Sequence, residues 1–303
     1  MILSDKDIKI LVCCHKPSPL PQSEYLLPIQ VGAACAQSDL GYQRDDRVLG
    51  KPCDNISQKN GNFCELTAIY WAWKNIKTVF PDLKYIGLNH YRRYFSFYDS
   101  DWRKNYIARP EQEISSYAIN KEKLSEWLLE GNIILPREAR LKCSVAQAYE
   151  HAHFSTDLRS LHDVIRERNP DYLDAFNEVM LCRHSFFDCN MFIMPFDKFE
   201  DYCGWLFGIL FELEKRIDIS HYDAYQRRIF GFLSERLLTL WVLKNGYKKK
   251  TLNYFLFSES PKIWKTGFLF NLKLLRSRLK DELCFQLAKP RNPAFRERFW
   301  KIP

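Results

Sequence analysis

The stretch from Leu83 to Phe97, LKYIGLNHYRRYFSF, joins an apolar run directly to a cluster of polar and cationic side chains. Pro81 and Asp82 precede the apolar run Tyr85-Ile86-Gly87-Leu88. This run has the length and composition of a buried strand, although a single helical turn can have the same composition. It predicts a central strand of an α/β sheet. Ligands bind at the carboxyl ends of strands in open α/β sheets, so we expect a site directly after Leu88.

The six residues after this run, Asn89-His90-Tyr91-Arg92-Arg93-Tyr94, combine an imidazole, two guanidiniums and two phenols. Arginine forms two parallel hydrogen bonds to a phosphate, and its charge does not titrate away. The pattern therefore indicates an anionic ligand. The alternative is that Arg92 and Arg93 are solvated surface charges and that His90 is a partly buried structural histidine.

Other segments predict a sheet flanked by helices. Ile8 to Cys14 has the pattern of a first parallel strand, and Cys64 to Val79 has apolar residues at helical spacing, so the chain from Ile8 to the Leu83 strand forms a βαβ unit. The other expected elements are a second element at 29–37, a long polar loop at 38–62, a polar helical region at 99–132 with an amphipathic helix at 122–129, a helical region at 144–177, strands at 133–136 and 186–195, and helices at 199–216 and 225–245.

Length and composition bound the class of protein. A chain of 303 residues with 46% apolar and 15% aromatic content buries a large core and forms one large domain, with or without an appendage. No run of eighteen apolar residues is present, and the charged N-terminus does not resemble a signal peptide, so we expect a cytoplasmic chain. The ten cysteines lack zinc-ligand spacing and predict reduced thiols. His151 and His153, with Asp157 nearby, lie two residues apart and do not share a helix face, so no metal site is expected there.

The basic charge is concentrated at the C-terminus. Residues 262–303 hold eleven Lys and Arg against three acidic residues, which equals the net charge of +8 of the whole chain. We predict a main domain at 1–260 and a basic amphipathic helical extension at 261–303 that lies on an anionic membrane surface. The alternative is that the extension packs on the main domain. A neutral body argues against nucleic acid as a partner.

Five motifs resemble those of the DUF4422 family: DNISQKN at 54–60, CELTAIYWAWKN at 64–75, YIGLNHYRRYF at 85–95, DCNMFIMP at 188–195 and GFLSERLL at 231–238. That family comprises bacterial proteins encoded with capsule, exopolysaccharide and lipopolysaccharide genes. They are regarded as glycosyltransferases of the GT-A type, and some transfer galactofuranose. The resemblance implies a GT-A-like mixed sheet flanked by helices, a UDP-sugar donor, and a glycan or lipid-linked glycan acceptor at the inner face of the cytoplasmic membrane. The rival class is a non-catalytic scaffold or glycan-binding protein of polysaccharide assembly.

Within a GT-A-like fold, position and chemistry suggest three groups of site residues. Transfer to a hydroxyl needs a general base, for which Asp188 and Glu235 are the candidates, and we expect Arg236 to keep the pKa of Glu235 low. The predicted catalytic residues are Asp188, Glu235 and His90; the predicted nucleotide-sugar-binding residues are His15, Asp54, Asn55, Ser57, Asn60, Glu65, His90, Arg92 and Arg93; and the predicted acceptor-binding residues are Asn190, Arg228 and Arg236.

The metal-binding Asp-x-Asp that GT-A enzymes commonly carry is missing from the expected place. Asn89-His90-Tyr91 stands there instead, and Asp99-Ser100-Asp101 follows ten residues later. We therefore expect no metal and no other cofactor, with cationic side chains neutralising the leaving diphosphate. Asp99 and Asp101 are the alternative ligands for Mg²⁺ or Mn²⁺.

Overall fold

A computed structural model describes residues 2–98, 104–259 and 300. Its strands are β1 (Ile8–Cys14), β2 (Leu26–Gln30), β3 (Gln43–Arg44), β4 (Arg47–Val48), β5 (Lys51–Pro52), β6 (Tyr85–His90), β7 (Arg93–Phe95), β8 (Tyr106–Pro110), β9 (Ile133–Pro136), β10 (Ala139–Arg140), β11 (Ser185–Phe186), β12 (Phe192–Pro195), β13 (Lys249–Leu252) and β14 (Tyr254–Ser258). Its α-helices are α1 (Asn60–Phe63), α2 (Leu66–Val79), α3 (Lys121–Leu129), α4 (Val145–Glu150), α5 (Ser155–Arg168), α6 (Leu173–Asn177), α7 (Phe196–Glu214) and α8 (Ile229–Lys244).

The central sheet has the strand order β13-β9-β12-β6-β1-β2-β3. β1 lies between β6 and β2 and is parallel to both, whereas β12 is antiparallel to its neighbours β6 and β9. Of these seven strands, β12 alone runs in the opposite direction. Gly87 makes this pairing possible, because a Cβ at that position would lie 2.8 Å from Ile193 Cγ1 and 2.9 Å from the Phe192 carbonyl oxygen.

A smaller group of strands continues from the central sheet. β7 turns back on β6 at the pair His90 and Arg93, and β14 pairs with β7 and with β8. Tyr254 is placed by this group between Phe95 and Tyr106. The group therefore extends the sheet beyond the end of β6.

Apolar side chains cover both faces of the sheet. Leu11 and Cys13 of β1 face a core that includes α2, α5, α7 and α8, while Ile10 and Val12 face a second core that includes α3 and β14. A strand that is buried on both faces needs a continuous apolar sequence, which explains the run Ile8–Cys14. Its register with β6 pairs Ile10 with Gly87 and Val12 with Asn89.

The expected α/β architecture is confirmed, with differences at four places. The strands expected at 8–14, 85–88 and 133–136 are present, as are the helices expected from 64, 199 and 225. The single strand expected at 186–195 is wrong, because a turn at Cys189 and Asn190, with φ of 67° and 51°, separates β11 from β12. The long loop contains β3 to β5, the region expected to be helical before 122 contains β8, and β13 and β14 were not predicted.

The predicted extension lies almost entirely outside the described residues, as do Asp99 and Asp101. Trp300 is described, and its indole stacks on His162 with ring centroids 4.4 Å apart. Its Nε1 donates a hydrogen bond of 2.7 Å to Asn177 Oδ1. Within the described residues, no helix is long and apolar enough to cross a membrane.

Candidate active site

One edge of the sheet collects the polar residues that the sequence singles out. The carboxyl ends of β1, β6, β9 and β13 lie at this edge because the four strands run in the same direction, and β12 begins there because it runs in the other. His15 follows β1, His90 ends β6, and the turn from Asp188 to Asn190 leads into β12. The sheet topology thus brings together three segments that are far apart in sequence.

Cationic side chains surround Tyr91 at this edge. His15 meets the Tyr91 ring edge-on at 5.1 Å between centroids, and the cations of Arg92 and Lys16 lie 5.4 and 5.7 Å from it. Partial burial lowers the pKa of His15, and the positive charges of Lys16, Arg92 and Arg228 lower it further. Three cations close enough to lower the pKa of one imidazole create a positive potential that favours an anion.

Arg228 reaches this cluster from the start of α8. Its Nε lies 3.3 Å from Cys64 Sγ, and its guanidinium carbon lies 5.3 Å from the centre of the Phe232 ring. Sequence reasoning assigned Arg228 to the acceptor, but the structure places it with His15 and Arg92. Among the described residues, neither Arg228, Arg92 nor Lys16 forms a salt bridge.

His90 supports the turn before β12. Its Nε2 lies 2.7 Å from the Cys189 carbonyl oxygen, so this nitrogen carries the proton because a carbonyl only accepts. Burial lowers the pKa of His90, against the opposing charge of Glu65. A neutral His90 therefore holds the backbone beside Asp188.

A buried polar network holds the turn at Cys189 and Asn190 to the segments around α2 and α8. The buried Asn190 donates from Nδ2 to Glu65 Oε1 at 2.7 Å and to the Gly231 carbonyl oxygen at 3.3 Å, and Ser234 donates to Asn190 Oδ1 at 3.0 Å. Asn190 is only 1% exposed. It holds the left-handed turn to α2 and α8 instead of facing the acceptor, as the sequence had suggested.

Glu235 has both carboxylate oxygens engaged. Oε1 accepts the Cys189 amide N–H at 2.8 Å, and Oε2 lies 3.0 Å from Arg236 Nη1. Burial raises the pKa of Glu235 to about 7, although the charge of Arg236 acts in the opposite direction. The expectation that Arg236 keeps this pKa low is therefore wrong, because desolvation outweighs the ion pair.

Arg236 is itself taken up by internal contacts. It is 7% exposed, its Nη1 donates to the Phe232 carbonyl oxygen at 2.8 Å, and its guanidinium lies over the Phe186 ring at 4.4 Å. An acceptor molecule cannot reach a side chain in this position without rearrangement. The predicted acceptor role does not fit the position of Arg236.

Asp188 has one engaged and one free oxygen. Its Oδ2 accepts hydrogen bonds from Asn105 Nδ2 at 3.0 Å and from the Tyr254 hydroxyl at 3.2 Å, whereas Oδ1 is enclosed with no partner among the described residues. Burial raises the pKa of Asp188 to about 6, and the nearby charge of half-buried Arg93 limits the rise. Arg93 is therefore associated with this carboxylate, whereas Arg92 is exposed.

Tyr254 and Asn105, which reach Asp188 from β14 and from the segment before β8, are not among the residues predicted from the sequence. They carry no local signal, because only the pairing of β14 with β7 and β8 brings them to this edge. Asn89 belongs to the predicted cluster without a predicted role. It is 0% exposed, and both polar atoms of its amide are enclosed without a partner among the described residues. Buried, unsatisfied polar groups are rare and often mark functional positions.

The predicted nucleotide-binding loop is held by contacts within itself. Ser57 donates to the Asp45 carboxylate and accepts from the Ala34 amide at 3.0 Å, while Asn55 Oδ1 accepts the Ser57 amide N–H at 3.0 Å. Asp45 also accepts from the backbone after β2, at 2.7 Å from the Gly32 nitrogen. These residues shape the loop beside the edge.

Two further residues of the predicted group have structural partners as well. Asp54 accepts a hydrogen bond of 3.1 Å from the Tyr70 hydroxyl, and Asn60 donates to the Cys64 carbonyl oxygen at 2.8 Å. Gly32 packs against Asn60, since a Cβ there would lie 2.8 Å from Asn60 Cβ. Of the predicted nucleotide-sugar-binding residues, His15 and Arg92 are the ones that face outward at the strand ends.

A metal-binding cluster of three or more His, Cys, Asp and Glu residues is absent from the described part of the chain. Asp157 accepts instead from the Tyr222 hydroxyl at 2.6 Å, and His153 contacts Gln226 at 3.0 Å. Asp99 and Asp101, the alternative metal ligands, lie outside the described residues, so the expected absence of a metal stays a prediction.

Comparisons with known proteins match this architecture. The family described as "Domain of unknown function (DUF4422)" matches residues 9–246. A solved structure titled "WbbM bifunctional glycosytransferase apo structure" superposes with a TM-score of 0.68 and 28% sequence identity, over 83% of this chain and 45% of that one. The chain thus spans less than half of the length of that protein. No curated protein matches the chain.

Proposed function

The chain belongs to the DUF4422 family, and we propose that it is a glycosyltransferase that moves a sugar from a nucleoside diphosphate sugar to a hydroxyl group of a glycan acceptor. The similarity to a chain from a bifunctional glycosyltransferase supports this reaction class. The observation that carries the proposal is that a cationic cluster and a buried carboxylate with one unpartnered oxygen lie at the same edge of the sheet. Glycosyl transfer needs both, one for the leaving group and one for the nucleophile.

The cationic cluster binds the diphosphate in this proposal. Lys16 and Arg92 lie beside Tyr91 at the ends of β1 and β6, the charge of Arg228 acts on His15, and His15, neutral at neutral pH, provides a hydrogen-bonding ring. As the bond between the anomeric carbon and the diphosphate oxygen breaks, the electron pair leaves with the diphosphate. Preorganised cations stabilise that charge more in the transition state than in the bound donor.

Asp188 acts as the general base. Its Oδ2 is oriented by Tyr254 and Asn105, and its enclosed Oδ1 accepts the proton of the acceptor hydroxyl once the acceptor has opened this part of the site. The hydroxyl oxygen then attacks the anomeric carbon. With a pKa of about 6, the carboxylate is ionised at neutral pH and still basic enough to take a proton. Both oxygens of Glu235 are engaged, so Glu235 positions the turn.

The finer assignments extend this proposal. We propose UDP as the nucleotide and galactofuranose as one candidate sugar, on the strength of the motifs shared with the family. A lipid-linked acceptor at the inner face of the cytoplasmic membrane fits the basic composition of residues 262–303. Reaction without a metal fits the cationic cluster.

Calorimetry with UDP tests the donor site. We expect UDP to bind the wild-type protein, and Arg92→Ala and Arg228→Ala each to weaken the affinity by about tenfold, since each removes a charge-assisted contact. Lys6→Ala, an exposed cation before β1 at the opposite edge, is the control and should bind UDP normally.

Incubation with a panel of UDP-sugars, including UDP-galactofuranose, then identifies the donor by UDP release. A protein that does not bind UDP at millimolar concentration, while binding surface polysaccharide, would be a scaffold and not a transferase.

A further inference from the structure

A second basic surface lies beside Asp188, on the two-stranded ribbon of β10 and β11. Ala139 pairs with Phe186, and Arg140 pairs with Ser185. The pairing continues to Leu141, whose amide donates to the His184 carbonyl oxygen at 2.8 Å. The ribbon follows β9 directly and leads within two residues into Asp188.

The two faces of this ribbon differ in chemistry. Side chains alternate between the faces of a strand, and directly paired residues share a face. Ala139, Leu141 and Phe186 pack against the core on one face. The other face carries Glu138, Arg140, Lys142, Arg183 and Ser185, which we call the basic face.

The single acid of the basic face is already neutralised. Glu138 accepts from Arg183 Nη2 at 2.8 and 2.6 Å and from the Ser185 hydroxyl. Arg140 and Lys142 are exposed, and neither forms a salt bridge within residues 2–98 or 104–259. Arg183 Nε is enclosed with no partner in the same part of the chain. The basic face therefore carries an uncompensated positive charge.

We infer that the basic face binds a phosphate or diphosphate group of the acceptor, an inference that rests on the proposed glycosyl transfer. Ser185 lies three residues before Asp188, so their Cα atoms are at most about 11 Å apart. An acceptor whose hydroxyl reaches Asp188 Oδ1 then places an anionic group close to that hydroxyl on the basic face. The protein then has two separate anion sites. One binds the donor diphosphate near β1 and β6, and the other binds the acceptor phosphate near β9.

The experiment measures binding of hexyl diphosphate to the full-length protein by calorimetry in saturating UDP, which occupies the donor site. We expect binding to the wild type, at least about tenfold weaker binding to R140E/K142E, and an intermediate loss for R140Q/K142Q. K6E/K249E makes the same charge change with exposed cations at the amino ends of β1 and β13, and it should bind like the wild type. Neutral hexyl glucoside should not distinguish the four proteins.

Equal affinity in R140E/K142E and wild type, or an equal loss in K6E/K249E, would overturn the inference. A titration with UDP alone is run first, so that the presence of a donor site is tested separately. If the protein does not bind UDP, but binds hexyl diphosphate more weakly in R140E/K142E than in the wild type, the basic face is an anion site and the proposed function is wrong. The last measurement is sedimentation of the proteins with vesicles that contain phosphatidylglycerol. If R140E/K142E loses sedimentation with vesicles while hexyl diphosphate binds neither protein, the basic face is a membrane contact and the inference is wrong.

Discussion

The substitution Asp188→Asn separates a catalytic carboxylate from a structural one, because only loss of the catalytic one lowers activity without lowering stability. The pKa of Asp188 is raised from 3.8 to about 6. The folded protein therefore binds this proton more tightly than the unfolded chain does. Its contribution to stability is present in full below pH 4 and is lost as the pH rises through about 6.

The difference of about two pH units corresponds to about 3 kcal/mol as an upper limit. Asn at this position removes the buried charge and can still accept the hydrogen bonds from Tyr254 and Asn105. Those bonds become weaker, and the amide NH₂ group takes the enclosed place of Oδ1. We therefore expect the free energy of unfolding of D188N to exceed that of the wild type by about 1–2 kcal/mol at pH 8 and to equal it near pH 4.5.

Urea unfolding at the two pH values measures the stability, and UDP release with the identified donor and acceptor measures the activity. We expect kcat of D188N to fall by about a hundredfold or more with a small change in KM. In the wild type, kcat should rise with pH through about 6, where Asp188 becomes ionised.

Asp157 provides a matched control. It is buried, its pKa is also raised to about 6, and tyrosine hydroxyls also bind it, but it lies on α5 away from the strand ends. D157N should show the same dependence of stability on pH and keep its activity. If D188N keeps its activity within about threefold, Asp188 is not the base, and if it is destabilised equally at both pH values, the cost of burying the Asp188 charge does not set its effect on stability.

Four further results are expected. Because burial raises the pKa of Glu235 to about 7, Glu235→Gln should change the free energy of unfolding by less than about 1 kcal/mol near pH 4.5, where the folded wild type also holds a neutral carboxyl, and should lower kcat by less than about tenfold; a hundredfold fall in kcat would instead make Glu235 the base. Activity should survive EDTA, and a loss that Mn²⁺ restores would point to the segment Asp99-Ser100-Asp101. Trp300→Ala should lower the free energy of unfolding by about 1–2 kcal/mol, since it removes a stacked ring and a hydrogen bond. Truncation after Ser260 should abolish sedimentation with anionic vesicles and spare hydrolysis of the donor. Binding of the truncated protein to the vesicles would reject the membrane role of the extension.

The predicted extension illustrates how far composition can be taken. An excess of basic and apolar residues at 262–303 suits a membrane surface. Trp300 nevertheless contacts α5 and α6 through His162 and Asn177. Composition measures only the affinity of a segment for an apolar surface, so it cannot distinguish a bilayer from the protein's own core.

The sequence by itself determined the central strand that begins at Tyr85, the first strand, the helix after Glu65 and the placement of cations at a sheet edge, although β6 continues to His90 instead of ending at Leu88. Each of these depends on neighbouring residues: apolar runs of fixed length, helical spacing, and the position of ligands at the ends of parallel strands. The motifs shared with the DUF4422 family are equally local, and the match over residues 9–246 confirms them.

Only the tertiary structure decided which polar residues meet. Arg228 joins His15, and Tyr254 and Asn105 reach Asp188, because the sheet order and the pairing of β14 bring distant segments together. Burial likewise decided that Glu235 has a pKa of about 7 although Arg236 lies beside it. The cost of desolvating a charge depends on everything packed around it, and a local sequence pattern carries no record of those distant neighbours.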